Sequence, residues 1–251
     1  MSGQIHIGTS GWHYVHWRGP FYPEKTKAAD MLDYYIRHFG TVEINNSFYR
    51  LPPINALKKW YDSTPRDFCF AVKGSRYLTH MKKLKDPKPG LAKFFSRINH
   101  LGNKLGPILF QLPPGWKCNA ARLESFLAAL PKKHRYAFEL RDPTWHNASI
   151  YELLRRYNAA FCIYELGGFQ SAAEITADFT YVRLHGPLPA AYQGRYERRA
   201  LADWAKRLAR WRDAMNDIYV YFDNDQEGFA ALNAAELKKM VGRPYAKTNF
   251  K

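Results

Sequence analysis

Apolar positions along the chain switch repeatedly between strand-type and helix-type spacing. Strand-like runs occur at Gln4–Gly8, Val42–Asn46, Phe68–Lys73, Ile108–Leu112, Tyr136–Arg141, Ala160–Tyr164, Tyr181–His185 and Ile218–Phe222. Between most of them the apolar positions recur every three to four residues, the period of an amphipathic helix. Leu91, Phe94, Phe95, Ile98 and Leu101 form one such stripe, with Lys93 and Arg97 opposite. Leu123, Phe126, Leu127 and Leu130 form the next, with Asn119 placed as its N-cap. Leu201, Trp204, Leu208, Trp211 and Met215 form a third, where Asp203 stands four residues before Arg207, a supportive spacing on a helix surface. A last helix is expected after Asp225, capped by it and packing through Phe229, Leu232 and Met240. Between Tyr164 and Tyr181, Gly167-Gly168 leave little room for a helix. Strands that alternate with helices predict parallel βα units. The 251 residues suit one α/β domain spanning 1–251, a TIM-barrel-like (β/α)₈ fold with a shortened sixth unit.

Within the strands a second pattern appears. Val42 and Ile44 alternate with Glu43 and Asn45, Phe68, Phe70 and Val72 with Cys69, Ala71 and Lys73, and Ile108, Phe110 and Leu112 with Leu109 and Gln111. Phe138 and Leu140 alternate with Glu139 and Arg141, Val182 and Leu184 with Tyr181, Arg183 and His185, and Ile218, Val220 and Phe222 with Tyr219, Tyr221 and Asp223. Alternation on a sheet covered by helices puts the apolar set against the helices and the polar set toward the barrel axis. An axis carrying Glu43, Lys73, Gln111, Glu139, Arg141, Arg183, His185 and Asp223 is not expected to be an oily core, because buried charges must pair or be solvated.

Catalytic groups of such barrels lie at the C-terminal strand ends. Ser10, Asn45, Lys73, Gln111, Arg141, His185 and Asp223 stand closest to those ends, with Glu43, Glu139 and Arg183 about one layer deeper. The loops that follow are rich in rings: Trp12, Tyr14, Trp17, Phe21 and Tyr22 in the first, Phe48 and Tyr49 in the second, Trp145 in the fifth, Tyr192 and Tyr196 in the seventh. Rings interleaved with arginine suit stacking on bases or sugars, with cationic contacts to phosphate. At least half of these rings are expected to plug the barrel top or bridge loops instead.

Charge sharpens this reading. With 38 Lys and Arg against 22 Asp and Glu, the chain carries +16, which attracts nucleic acid, anionic surfaces or acidic substrates. Cys69, Cys118 and Cys162 are widely spaced, without a CxxC pair, so a zinc knuckle or redox dithiol is not expected. No apolar run reaches membrane-spanning length and no signal sequence opens the chain, so a cytoplasmic, non-membrane protein is expected. There is no GxGxxG or P-loop, and Asp225 and Glu227 near the last helix oppose a phosphate cup there.

Seven ordered blocks carry a resemblance. Gly8-Thr9-Ser10-Gly11-Trp12, Trp17-Arg18-Gly19-Pro20-Phe21-Tyr22-Pro23, Val42-Glu43-Ile44-Asn45-Asn46-Ser47-Phe48-Tyr49, Leu112-Pro113-Pro114, Phe138-Glu139-Leu140-Arg141, Tyr181-Val182-Arg183-Leu184-His185-Gly186 and Tyr221-Phe222-Asp223-Asn224-Asp225 follow one another from Gln4 to about Val241. Together they resemble the YecE-like family, domain of unknown function 72. The resemblance implies a (β/α)₈-like barrel and supplies no reaction. That class of barrel is similar to sugar isomerases and metal-dependent abasic-site endonucleases, an analogy of fold alone.

Three functional readings follow. In the first, the mouth binds an anionic ligand, either a phosphorylated small molecule, a nucleotide or nucleic acid. Ser10, Trp12, Glu43, Asn45, Lys73, Gln111, Arg141, Trp145, Arg183 and Tyr192 would then line the site, and Glu139, His185 and Asp223 would do acid–base work, with hydrolysis as one outcome. In the second, Glu43, Glu139, His185 and Asp223 hold zinc, manganese or magnesium in a hydrolase or isomerase. One strand-end His, no HxH or HExxH spacing and neighbouring cations weigh against tightly bound metal. In the third, a non-catalytic protein binds nucleic acid through Arg198, Arg199, Lys206, Arg207, Arg210 and Arg212, and through the loop of Lys82, Lys83 and Lys85.

Overall fold

The strand alternation translates directly into a barrel wall. In the computed structural model, which describes residues 3–214 and 217–242, the strands are β1 (Gln4–Thr9), β2 (Thr41–Ile44), β3 (Cys69–Lys73), β4 (Leu105–Gln111), β5 (Tyr136–Glu139), β6 (Ala159–Leu166), β7 (Phe169–Gln170), β8 (Phe179–Leu184) and β9 (Asp217–Phe222). Eight of them pair in parallel in the order β1-β9-β8-β6-β5-β4-β3-β2. The first and last of this series meet through a single parallel bridge, Ser10 to Glu43, so the barrel is nearly closed. Helices α1 (Met31–Tyr35), α2 (Ile54–Asp62), α3 (Pro87–Ile98), α4 (Ala120–Ala129), α5 (Ala148–Arg156), α6 (Arg198–Ala214) and α7 (Phe229–Val241) surround it.

The helix starts follow local chemistry. Pro87 opens α3, where its missing N–H is not needed. Asn119 caps α4 by accepting from Arg122 N at 3.0 Å, and Asn147 caps α5 by accepting from Ile150 N at 3.2 Å. Asp225 does not cap the last helix. Glu227 and Gly228 adopt left-handed backbone (φ 52° and 74°), and α7 begins only after them. The α7 face also differs from expectation: Ala230, Ala231, Ala234 and Leu237 are buried, whereas Phe229, Leu232 and Met240 are half-buried. Small residues let that helix sit close to its neighbours. On α6, Asp203 pairs with Lys206 at 3.4 Å, while Arg207 stacks over the Trp204 ring at 5.0 Å. Met215 of the predicted α6 stripe lies outside the described residues.

The shortened sixth unit has no helix. β6 turns at Gly167-Gly168, both with positive φ, into the short antiparallel β7. The chain then returns to β8 as a link pinned on β6: Thr176 Oγ1 accepts from Phe161 N at 2.7 Å, and Ser171 Oγ accepts from Tyr164 N at 2.9 Å. These hydroxyls satisfy backbone donors that a crossover helix would leave to other partners.

Two cores result. Between wall and helices lie Val42, Ile44, Phe70, Val72, Phe110, Phe138, Val182 and Val220, as the alternation requires. Inside the barrel the lower half is filled by Ala71, Leu109, Ala137, Ala160, Cys162, Phe179, Tyr181, Tyr219 and Tyr221. The axis is therefore not polar throughout: the mouth half carries the charged cluster, the middle is apolar and aromatic, and the Arg135–Asp217 ion pair stands at the far end, with Arg135 meeting Tyr219 OH at 3.0 Å and lying over the Phe179 ring at 5.4 Å. Phe110 is the hub of the outer core, with rings of Phe94, Phe126, Tyr136 and Phe138 within 6.2 Å of its own. Phe110→Ala is expected to lower the unfolding free energy by about 3–5 kcal/mol in denaturant titrations, because it leaves a cavity lined by rings that cannot collapse.

Candidate functional site

The polar side chains of the upper barrel converge on Arg183. Successive inward positions of β8 carry Tyr181 and Arg183, and His185 follows the strand, so one face delivers three functional groups to the axis. Arg183 is fully buried. Its Nη1 donates to Glu139 Oε2 at 2.7 Å, and its Nη2 donates to Glu43 Oε1 and Asp223 Oδ2, each at 2.8 Å. Ser10 Oγ and Tyr181 OH complete Glu43, donating to its two oxygens at 2.6 Å. Arg141 Nε donates to Glu139 Oε1 at 2.5 Å. His185 Nδ1 lies 3.0 Å from Asp223 Oδ2, so with Asp223 ionised the imidazole donates there.

Electrostatics follow from this packing. Burial alone would push the carboxyl of Glu139 up, but Arg141, Arg183 and His185 hold it well below the usual range. Burial likewise opposes charge on Asp223, and Arg183 with His185 outweighs it. Burial opposes the guanidinium of Arg183 too, yet Glu43, Glu139 and Asp223 keep it firmly protonated. Lys73 is the exception. Burial and then Arg183 push its ammonium down to about 8, against the pull of Glu139, Asp223 and Glu43. It forms no ion pair among the described residues and lies 4.4 Å from the centre of the Phe48 ring.

The sequence-derived residues separate by depth. Glu43, Glu139, Arg183 and His185 are sealed, whereas Arg141 and Asn45 are partly open and Tyr192 is exposed above them. Arg141 Nη1 reaches Tyr192 OH at 3.4 Å, and its Nη2 is buried with no hydrogen-bond partner among the described residues. Asn45 Oδ1 is in the same condition. Gln111 turns back on the wall, its Nε2 donating to Leu112 O at 3.0 Å. Trp145 is wholly buried, donating from Nε1 to Trp116 O at 2.7 Å, which makes it a packing residue. Trp12 stands aside from the axis. It packs edge-on against Trp60 and, with Asn45, Tyr14, Asp30 and Asp33, lines a cavity of about 640 Å³. Trp17, Tyr22, Phe48 and Tyr196 are also buried; Trp17 and Tyr22 pack with Phe21 and Tyr34, and Tyr196 packs on Phe222, so these mouth rings bridge loops and the outer core.

Two partners escaped the sequence reading. Tyr181 sits on the inward face of its strand and closes the Glu43 site, a role its alternation alone could have suggested. Asn233, a polar residue on the buried face of α7, accepts from Tyr196 N at 3.0 Å and from Asn224 Nδ2 at 3.1 Å, tying the seventh and eighth loops together. Among the described residues, no group of three or more His, Cys, Asp or Glu is arranged to hold a metal ion. Where those side chains converge, the Arg183 guanidinium fills the centre.

A family model described as "Protein of unknown function DUF72" matches residues 6–250. The chain belongs to the DUF72 family. Among curated relatives of this DUF72 barrel, UPF0759 protein YunF of Bacillus subtilis is 27% identical, with 96% of each chain covered. UPF0759 protein YecE of Escherichia coli K12 is 29% identical over 55% of this chain and 49% of its own. A DUF72 family protein from Thermotoga maritima, solved by crystallography, superposes with a TM-score of 0.87 at 29% identity, covering 96% of this chain and 100% of that one. A putative vitamin-B12 independent methionine synthase from Listeria monocytogenes, at 8% identity and a TM-score of 0.52, shares the fold alone. No helix among the described residues is long and apolar enough to cross a membrane.

Removing Arg183 would strand three buried carboxylates. Arg183→Met is expected to cost about 3–5 kcal/mol at pH 7. The pH dependence should also weaken. Wild type holds Glu139 and Asp223 below their unfolded values, so its stability is complete above about pH 5 and falls as acid protonates them. In the variant Asp223 loses its main lowering partner while Glu139 keeps Arg141 and His185, so the loss of melting temperature between pH 7 and pH 5 and below should be smaller than in wild type. Thermal melts across that range distinguish the two profiles.

Proposed function

We propose that the barrel mouth binds a small anionic ligand, a phosphorylated metabolite or mononucleotide, on Arg141 and Lys73. One observation carries the reading: Arg141 is fixed at Nε by Glu139 while its buried Nη2 has no partner among the described residues. A buried donor without a partner costs about 1–3 kcal/mol, which an anionic oxygen recovers through a charge-assisted bond. Lys73 adds a second cation with no ion pair among the described residues, and Tyr192, whose hydroxyl meets Arg141 Nη1 at 3.4 Å, adds a polar contact at the same opening. Glu43, Glu139 and Arg183 then act beneath the ligand as the frame that positions Arg141. Hydrolysis is the reaction class this set suits. Asp223, oriented by His185 and closer to the opening than the sealed Glu43 and Glu139, would be the base toward a water.

Calorimetric titration with inorganic phosphate and AMP at low salt tests this. Arg141→Ala is expected to weaken binding about 10- to 100-fold, the worth of a charged hydrogen bond. Failure of wild type to bind either ligand would overturn the reading.

The Lys73 ammonium gives a further check. It must be protonated to hold an anion, so affinity for the phosphate dianion should fall above about pH 8, by up to about tenfold per pH unit. Lys73→Met should bind more weakly and lose that dependence, as titrations between pH 6.5 and 9.5 would show.

A further inference from the structure

A second cluster of cations lies outside the mouth. The loop after β2 and the segment from β3 into α3 enclose a groove of about 720 Å³ lined by Tyr49, Arg50, Ser75, Tyr77, Lys93 and Arg97 above a floor of Leu78 and Phe94. No carboxylate among the described residues lines it. Arg50, Lys93 and Arg97 form no ion pair among the described residues, whereas the cavity beside Trp12 includes Asp30 and Asp33.

The rings at its rim are presented rather than buried. Tyr49 is 73% exposed and Tyr77 46% exposed, both well above what a plugging ring shows. Tyr49 is braced nearly perpendicular to Phe48, with ring centres 5.0 Å apart. Exposed rings beside unpaired cations match the two needs of an unstacked nucleic-acid strand: flat faces for bases and positive charge for phosphates. An acidic protein surface would use the cations but has no need of the rings.

The backbone at this groove is unusual. Tyr77–Met81 forms a π-helical turn, a feature that clusters at functional sites. Lys83, Leu84 and Asp86 follow with φ of 46°, 64° and 45°, left-handed values that non-glycine residues seldom adopt. This distortion carries Tyr77 to the rim while Leu78 stays buried in the floor.

We propose that this groove is a second binding site, independent of the mouth, that takes a short single-stranded stretch of nucleic acid. Its phosphates lie on Arg50, Lys93 and Arg97, and its bases stack on Tyr49 and Tyr77. Lys83, Lys85 and Lys88 add positive charge in the same segment, where Lys82 is paired with Asp86 at 3.5 Å.

Fluorescence anisotropy with a labelled ten-nucleotide oligo-dT and its duplex with oligo-dA tests the assignment in the full chain. The single strand should bind more tightly than the duplex. Three phosphate contacts predict a slope of about −2 in log affinity against log salt. Tyr49→Ala and Tyr77→Ala should each weaken binding about fivefold or more at unchanged salt slope. The double variant Lys93→Ser, Arg97→Ser should flatten the slope. Arg198→Ser with Arg199→Ser on α6 serves as the control for general charge and should change affinity less than twofold. Equal loss in that control, or wild-type binding by both tyrosine variants, overturns the proposal. Loss with Arg141→Ala but not with Tyr49→Ala also overturns it and assigns the strand to the mouth instead. A phosphoserine peptide that competes below the concentration of unlabelled oligonucleotide would overturn the choice of partner. Circular dichroism of each variant confirms folding, and retained phosphate affinity separates this test from that of the mouth.

Discussion

Everything at the mouth depends on one buried guanidinium. Arg183 takes three carboxylates from three different strands or strand ends, Glu43, Glu139 and Asp223, and each makes a bond of 2.7 or 2.8 Å to it. Such a cluster is costly to desolvate, and its parts are far costlier to separate. It therefore acts less as a source of stability than as a register pin. A one-residue slip of any of those strands would turn its charge toward the apolar layer beneath the helices. Among the described residues the bridge between Ser10 and Glu43 is the one ladder pairing across the β1–β2 seam, and the Ser10 hydroxyl joins the same network there. Charge pairing thus supports the barrel where backbone pairing is weakest.

The network is also balanced. Glu43, Glu139 and Asp223 offset Arg183, Arg141 and Lys73 when all are ionised, so a long-range field is not what distinguishes the site. What distinguishes it is geometry. Glu43, Glu139 and Arg183 are sealed, Asp223 and Lys73 are nearly so at 5% and 6% exposure, and Arg141, with its unpartnered Nη2, is the more open cation.

Phe48 joins the mouth to the groove outside it. Its ring receives the Lys73 ammonium, braces Tyr49 and meets His80 edge-on at 4.9 Å. Burial, together with Lys73, pushes that imidazole down to about 4, so at neutral pH His80 adds no charge between the two sites. The two clusters are separated by a wall of uncharged rings.

The sequence by itself determined the barrel and the facing of its strands. Period-two alternation is a backbone property, so Val42, Phe70, Phe138 and Val182 had to lie on the opposite face from Glu43, Glu139 and Arg183. The helix-free sixth unit was legible in Gly167-Gly168, and the family in seven ordered blocks. Alternation says which way a side chain points and not what it meets. Only the tertiary structure decided that Arg183 gathers three carboxylates, that Trp145 packs on Trp116, and that Asp203 pairs with Lys206 rather than Arg207. Those outcomes depend on distances between residues far apart in the chain, set by how each strand end and loop closes around the axis. The groove beside the mouth was hidden for the same reason. Arg50, Tyr77 and Lys93 belong to separate segments, and no local pattern could show that a distorted turn brings them together.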